Sequence, residues 1–235
     1  MSAPSVERPR VIRRKIIVPD TPVGAVTRER LDGLLCRLVD ARRVVAVTAT
    51  AGAGKSVAVA HASRRFNRPV AWLSVDATDA APGRLVTYLE EALAQQLPSV
   101  RGIATGALAA GVPHAEAAGL LVEAAADAEV VFVLDDLERL HGSPAWEVIG
   151  SVVRYGPPSM RLILISRRGL GASVLSPALG AELARVGDAD LAFTVEEAGI
   201  ALQGLGRSGA EAPAAGEKRR PGPMRSRGAH AGRHL

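Results

Sequence analysis

The sequence predicts an α/β domain in which a mainly parallel sheet is covered by helices on both faces. Short β-branched runs alternate with longer stretches of helical periodicity, the order typical of such folds. The runs are almost continuously apolar, as expected for strands buried on both faces. Glycine-rich or charged residues follow directly after three of them, where a parallel sheet places its ligand-binding edge.

Five strands are predicted from these runs, at residues 44–48, 70–75, 130–134, 162–165 and 183–186. The segments between them have the apolar spacing of helices, at residues 27–39, 57–65, 83–97, 114–127 and 144–155. Pro113 and Pro144 suit first helical turns. We therefore expect strands and helices to alternate along the chain.

Charge and composition divide the 235 residues into one folded body and two basic ends. We predict a basic arm over residues 1–18, a folded domain over 19–203, and a disordered tail rich in glycine, alanine and arginine over 204–235. The net charge of +5 comes from the ends, because residues 16–203 alone carry −4. This argues against a basic groove for nucleic acid on the body.

The sequence lacks the features of membrane-spanning, secreted and zinc-binding proteins. The longest apolar strand is far shorter than the roughly 18 residues of a membrane helix. No signal-peptide core follows the N-terminal arginines, so we expect a cytoplasmic protein without membrane contact. Cys36 is the single cysteine, and the five histidines lack the spacing of zinc ligands. The only metal we expect is Mg²⁺.

A Walker A loop follows the first strand and precedes a helix, at residues 49–56. Backbone N–H groups of such a turn bind phosphate oxygens, Lys55 neutralises them, and Ser56 offers its hydroxyl to Mg²⁺. Ala49 replaces the first consensus glycine, which is harmless if this position does not need positive φ. In the alternative interpretation Lys55 is merely exposed in a turn. The predicted nucleotide contacts are Ala51, Gly52, Ala53, Gly54, Lys55, Ser56 and Val57.

An acidic pair ends the third strand, in the form of a Walker B motif. Asp135 is predicted to hold Mg²⁺ through its water shell, and Asp136 to orient or deprotonate the attacking water. Alternatively, Asp136 caps the following turn. Glu138 and Arg139 are interpreted as surface residues of the next helix.

Polar residues also end the fourth strand. Ser166 could contact the γ-phosphate and Arg167 could neutralise charge there, with Arg167 favoured over Arg168. The alternative is an exposed basic turn.

Together these segments resemble the N-terminal ATPase domain of large ATP-binding LuxR-type transcriptional regulators of the maltose-regulon-activator kind, which belong to the STAND class of P-loop ATPases. The two more diagnostic matches are residues 72–76, Trp-Leu-Ser-Val-Asp, and residues 190–194, Asp-Leu-Ala-Phe-Thr. The resemblance covers about residues 15–200 in the family's order. Its segments are residues 15–19, 26–31, 51–56, 71–76, 133–136, 165–167 and 190–194.

The resemblance implies a P-loop NTPase three-layer sandwich with strand order 2-3-4-1-5. It implies that Arg28 lies near adenine and ribose, that Lys55 and Ser56 hold phosphate and Mg²⁺, and that Arg167 takes the sensor position. The domain would be an ATP/ADP switch with weak ATP hydrolysis that self-associates with ATP. Asp136, Lys55 and Arg167 are the predicted catalytic residues.

Family members continue into sensing repeats and a helix-turn-helix, whereas this chain continues into its basic tail. We therefore hypothesise a truncated or frame-shifted relative without its own DNA-binding domain. Three alternative functions stay open, and one of them is direct nucleic-acid binding through the basic ends. A P-loop small-molecule phosphotransferase would need a basic lid and an acceptor pocket, and a non-hydrolysing adaptor would only bind nucleotide.

Overall fold

A computed structural model describes residues 11–22 and 24–210 of the chain. Its five-stranded sheet is parallel throughout and has the order β2-β3-β4-β1-β5, as the resemblance implied. The strands are β1 (Val44–Thr48), β2 (Val70–Ser74), β3 (Val130–Asp135), β4 (Met160–Ser166) and β5 (Leu183–Val186). The fold class predicted from the sequence is therefore confirmed.

Helices cover both faces of the sheet. They are α1 (Glu29–Ala41), α2 (Lys55–Ala62), α3 (Pro82–Ala94), α4 (Ile103–Ala109), α5 (His114–Glu123), α6 (Ala145–Tyr155), α7 (Gly171–Val174), α8 (Asp188–Leu191) and α9 (Val195–Ala210). Among the described residues, no helix is both long and apolar enough to cross a bilayer.

Two apolar cores result, because successive strand side chains point to opposite faces. Val45 and Val47 pack with α1 and α2, whereas Val44 and Ala46 pack in the core that contains α3, α5 and α6. All six residues of β3 are buried. This burial explains why the strands are apolar without alternation.

The strands end in register at one edge of the sheet. Thr48 lies beside Ser166, and Ser74 lies beside Asp135. The loops that follow β1, β3 and β4 therefore start from neighbouring points. The predicted Walker A loop, the acidic pair and the polar residues after the fourth strand therefore all lie at this edge.

Within the described residues, the structure adds four helices that the periodicity did not predict: α4, α7, α8 and α9. The first turn of α4 is capped by Glu90 of α3, whose Oε2 accepts the N–H groups of Ala104 at 2.7 Å and Thr105 at 2.9 Å. Helix N-termini need such acceptors. Because the acceptor Glu90 belongs to another helix, the residues next to α4 in the sequence contain no capping signal.

The described part of the predicted basic arm packs against the domain. Ile16 is 3% exposed, and Lys15 is buried against carboxylates that follow β2. At the other end, α9 runs past residue 203, where we placed the start of the tail. Residues 1–10 of the arm and 211–235 of the tail lie outside the described residues.

Candidate phosphate-binding site

The loop between β1 and α2, called the cradle below, is the segment predicted from the sequence to bind phosphate. Gly52 and Gly54 have φ of 83° and 77°, and a Cβ at either would meet nothing within 4 Å. The need for glycine is therefore conformational rather than steric. Ala49 is not among the positive-φ residues, so its departure from the consensus causes no backbone strain. Ala51, Gly52 and Ala53 form the turn, and Lys55, Ser56 and Val57 begin α2.

Lys55 is a buried ammonium group without a carboxylate partner. Its Nζ donates to the carbonyl oxygens of Ala49 at 2.8 Å and Thr50 at 2.9 Å, and the residue is 8% exposed. None of the ion pairs among the described residues includes it. No side chain caps the N-terminus of α2 either. The exposed-lysine alternative is wrong, because the side chain is buried in the loop.

Ser56 and Asp135 meet across the ends of β1 and β3. The Ser56 hydroxyl donates to Asp135 Oδ1 at 3.0 Å, and the N–H of Asp136 donates to the same oxygen at 2.9 Å. Burial raises the pKa of Asp135 to about 6, with partial opposition from the Ser56 hydrogen bond. A facing hydroxyl and carboxylate are the hard oxygen ligands that Mg²⁺ takes alongside water. The donor set therefore fits this ion.

Asp136 has the left-handed conformation, with φ of 59°, and is the one positive-φ residue other than glycine in the described ranges. Its side chain makes no capping hydrogen bond to the 3₁₀ turn Leu137–Leu140, so the capping alternative is wrong. Burial and the charge of Glu138 raise the pKa of Asp136, whereas Arg167 and Lys55 lower it. Strained conformations of this kind recur at functional sites.

Arg167 is held by Glu138, a contact that the sequence did not predict. Glu138 Oε2 accepts the backbone N–H of Arg167 at 3.0 Å, and Oε1 lies 3.0 Å from Arg167 Nε. Our prediction of Glu138 as a surface residue is wrong, because its side chain is 11% exposed. Ser166 is buried, and its hydroxyl accepts the N–H of Arg168 at 3.1 Å. It therefore stabilises the turn.

Known proteins resemble this chain in sequence and in fold, although no family model matches it. The chain is 29% identical over 199 residues to the serine/threonine-protein kinase PknK of Mycobacterium tuberculosis, covering 80% of this chain and 18% of the relative. It is 27% identical over 195 residues to the HTH-type transcriptional regulator MalT of Klebsiella pneumoniae, covering 80% and 21%. The solved Walker-type ATPase PABY2304 of Pyrococcus abyssi superposes with a TM-score of 0.51 at 15% identity, covering 79% of this chain and 58% of that one.

The chain is thus similar in sequence to MalT over 80% of its length, and it has the fold of the Walker-type ATPase PABY2304. It spans about a fifth of the length of the curated relatives that it matches. The likeness to PABY2304 concerns the fold alone.

In this P-loop domain Arg28 joins the start of α1 to the segment between α8 and α9. Its guanidinium donates to the carbonyls of Leu191 at 2.8 Å and Ala192 at 2.9 Å, and pairs with Glu197 at 3.3 Å. It also lies 4.5 Å from the centre of the Phe193 ring. Proximity of Arg28 to adenine and ribose stays a prediction.

A second unpredicted contact joins the P-loop to α8. Asp188 Oδ1 accepts both the N–H and the hydroxyl of Thr50, each at 3.0 Å. These hydrogen bonds lower the pKa of Asp188. No local pattern in the sequence points to this contact, because the two residues lie 138 positions apart.

Proposed function

We propose that this domain binds ATP and ADP with Mg²⁺ and acts as a regulatory switch with slow ATP hydrolysis. The observation that carries the proposal is Lys55, a buried ammonium group that only backbone carbonyls hold, at the uncapped N-terminus of α2. Phosphate oxygens are charged acceptors and bind an ammonium group more strongly than neutral carbonyls. Nucleotide binding therefore gives this lysine a better partner.

The cradle supplies the remaining phosphate contacts. Backbone N–H groups from Ala51 to Val57 point to a bound anion in loops of this conformation, and the helix dipole of α2 adds to the attraction. Ser56 and Asp135 would hold Mg²⁺, which neutralises phosphate charge when bound. Arg28 is proposed to lie beside adenine and ribose.

The hydrolytic step is assigned to Asp136. Its half-buried carboxylate stands beside the proposed metal ligand Asp135, and its raised pKa suits a group that accepts a proton from water. Arg167 is proposed to neutralise charge on the γ-phosphate. An aspartate reaches less far than the glutamate common at this position, so we propose slow turnover.

Released nucleotide tests the binding proposal directly. Protein purified without added nucleotide is denatured, and the supernatant is analysed by chromatography beside Lys55→Ala and the lysine control Lys218→Ala. We expect near-stoichiometric ADP from the wild type and the control, and none from Lys55→Ala. A wild type that releases nothing and fails to bind added Mg-ATP would overturn the proposal.

Turnover tests the role of Asp136. We expect Asp136→Ala to lower ATP hydrolysis about 100-fold while ATP affinity is retained. Equal turnover of both proteins would mean that this site does not hydrolyse ATP and would favour the adaptor alternative. Turnover that requires an added acceptor would instead indicate a phosphotransferase.

The regulatory part of the proposal rests on the relationship to MalT-type regulators. We propose a cytoplasmic protein whose ATP-bound form self-associates, that acts in transcription regulation, and that does not bind DNA directly. Sedimentation with ADP or with Mg-ATP and the Asp136→Ala variant tests self-association. A mass that does not change between the two nucleotides would contradict it.

A further inference from the structure

Glu138 and Arg167 form a bridge across the sheet edge where the phosphates are proposed to lie. Glu138 belongs to the 3₁₀ turn directly after β3, and this turn is anchored by Leu137 and Leu140, both 0% exposed. Arg167 directly follows β4. The bridge thus joins two neighbouring strand ends, beside the start of the P-loop.

The two partners differ in how firmly they are held. The side chain of Glu138 is 11% exposed and that of Arg167 is 46% exposed. Glu138 Oε2 is fixed by the backbone N–H of Arg167 at 3.0 Å. Glu138 Oε1 is buried and accepts no hydrogen bond, although Arg167 Nε lies 3.0 Å away. The guanidinium is therefore held by charge, without the geometry of a hydrogen bond.

The bridge lies close to the P-loop. Ser166, the residue before Arg167, pairs in register with Thr48, and its carbonyl accepts the N–H of Ala49 at 3.4 Å. A terminal phosphate in the cradle would therefore compete with the Glu138 carboxylate for Arg167.

We propose that Glu138 is a positioning residue that latches Arg167 and thereby disfavours ATP relative to ADP. This inference rests on the proposed nucleotide site and adds its regulation. The γ-phosphate must take Arg167 from a carboxylate that is anchored and negatively charged, whereas ADP lacks the phosphate group that reaches Arg167. The latch therefore reduces ATP affinity selectively.

Glu138→Gln tests the latch, because the amide oxygen can still accept the Arg167 N–H while the negative charge is removed. Dissociation constants are measured by calorimetry for Mg-ADP and for the hydrolysis-resistant analogue Mg-AMP-PNP. We expect AMP-PNP to bind about fivefold more tightly than to the wild type, and ADP to bind equally. Glu147→Gln, an exposed glutamate on α6, controls for net charge and should change neither.

The same substitution in an Arg167→Gln background separates a latch from simple repulsion. If Glu138 acts through Arg167, its replacement by glutamine gives no gain in AMP-PNP affinity there. A gain that persists would overturn the latch, because repulsion between Glu138 and phosphate needs no arginine.

The single variant Arg167→Gln breaks the bridge from its exposed side and keeps the test available if Glu138→Gln does not fold. We expect weaker AMP-PNP binding and unchanged ADP binding. Equal changes in the affinity for both nucleotides, or no change for either, would overturn the latch but not the proposed function. A wild type that binds neither nucleotide would overturn the proposed function itself.

Discussion

Lys15 and Lys55 are buried to the same degree but have different partners. They are 7% and 8% exposed. The ammonium group of Lys15 contacts the carboxylates of Asp76 and Asp79 and lies 4.2 Å from the centre of the Tyr88 ring. That of Lys55 contacts two backbone carbonyls. The first charge is neutralised within the fold, and the second is not.

The difference separates a structural lysine from the lysine that we propose binds phosphate. A buried charge destabilises a fold unless it is paired. Lys15 pairs with Asp79, which is 0% exposed, so this contact stabilises the folded domain. The Lys55 ammonium group, solvated only by neutral dipoles, retains its attraction for an anion. Substitution of the two lysines should therefore affect different properties.

Lys15→Ala is expected to have the largest effect on stability. It leaves Asp79 buried with only Arg84, at 3.3 Å, as a cationic partner, and should lower the free energy of unfolding by about 3 kcal/mol. Nucleotide affinity of the folded protein should not change. Denaturant titration measures the loss, with the exposed neighbour Arg14→Ala as the control. A loss no larger than that of the control would remove the distinction.

Lys55→Met should have the opposite pattern. It removes charged hydrogen bonds to phosphate, and nucleotide affinity should fall roughly 100-fold, equivalent to about 2.7 kcal/mol. The free energy of unfolding without nucleotide should equal or exceed that of the wild type, because an unpaired buried charge is removed. Calorimetry and denaturant titration measure the two quantities. A matching loss of stability would mean that Lys55 is also structural.

Removal of Mg²⁺ tests whether a metal ion neutralises the phosphate charge together with Lys55. Chelation should weaken ATP binding to the wild type about tenfold, or about 1.4 kcal/mol, and should have little effect on Asp135→Asn. Asp188→Asn is the matched control, since Asp188 contacts the loop through Thr50 rather than facing Ser56. Equal Mg²⁺ dependence in Asp135→Asn would contradict the assigned metal ligand.

Acid should slightly lower the free energy of unfolding, because it protonates the Asp76 carboxylate beside Lys15. Hydrogen bonds from the Thr78 hydroxyl and from Lys15 lower the pKa of Asp76 to about 2. Because the folded-state pKa lies below the ordinary value, the stability that the Asp76 carboxylate contributes is present above about pH 4. It is lost as pH falls toward 2. The side chain is 49% exposed, so less than about 1 kcal/mol is involved. The difference in unfolding free energy between wild type and Asp76→Asn should shrink over this range, and a constant difference would contradict the assignment.

Consecutive residues were sufficient to predict the strands and the backbone conformation of the loop between β1 and α2. β1 and β5 have the predicted bounds, and Gly52 and Gly54 adopt the positive φ that a Walker A loop requires. Burial on two faces leaves an unbroken apolar run in the chain, and a tight turn leaves glycines at fixed spacing. Such signals are local, so the sequence by itself determined the fold class and the position of Lys55.

Only the tertiary structure decided which charges meet. Glu138 reaches Arg167 across 29 positions, Asp188 reaches Thr50 across 138, and Lys15 reaches Asp79 across 64. Glu90 caps α4 from another helix. Each contact depends on how separate segments approach one another, and side-chain periodicity reports which face of an element is buried but not which polar group lies opposite. The sequence therefore predicted the loop between β1 and α2, whereas the packing of the surrounding loops determined the partners of the charged residues.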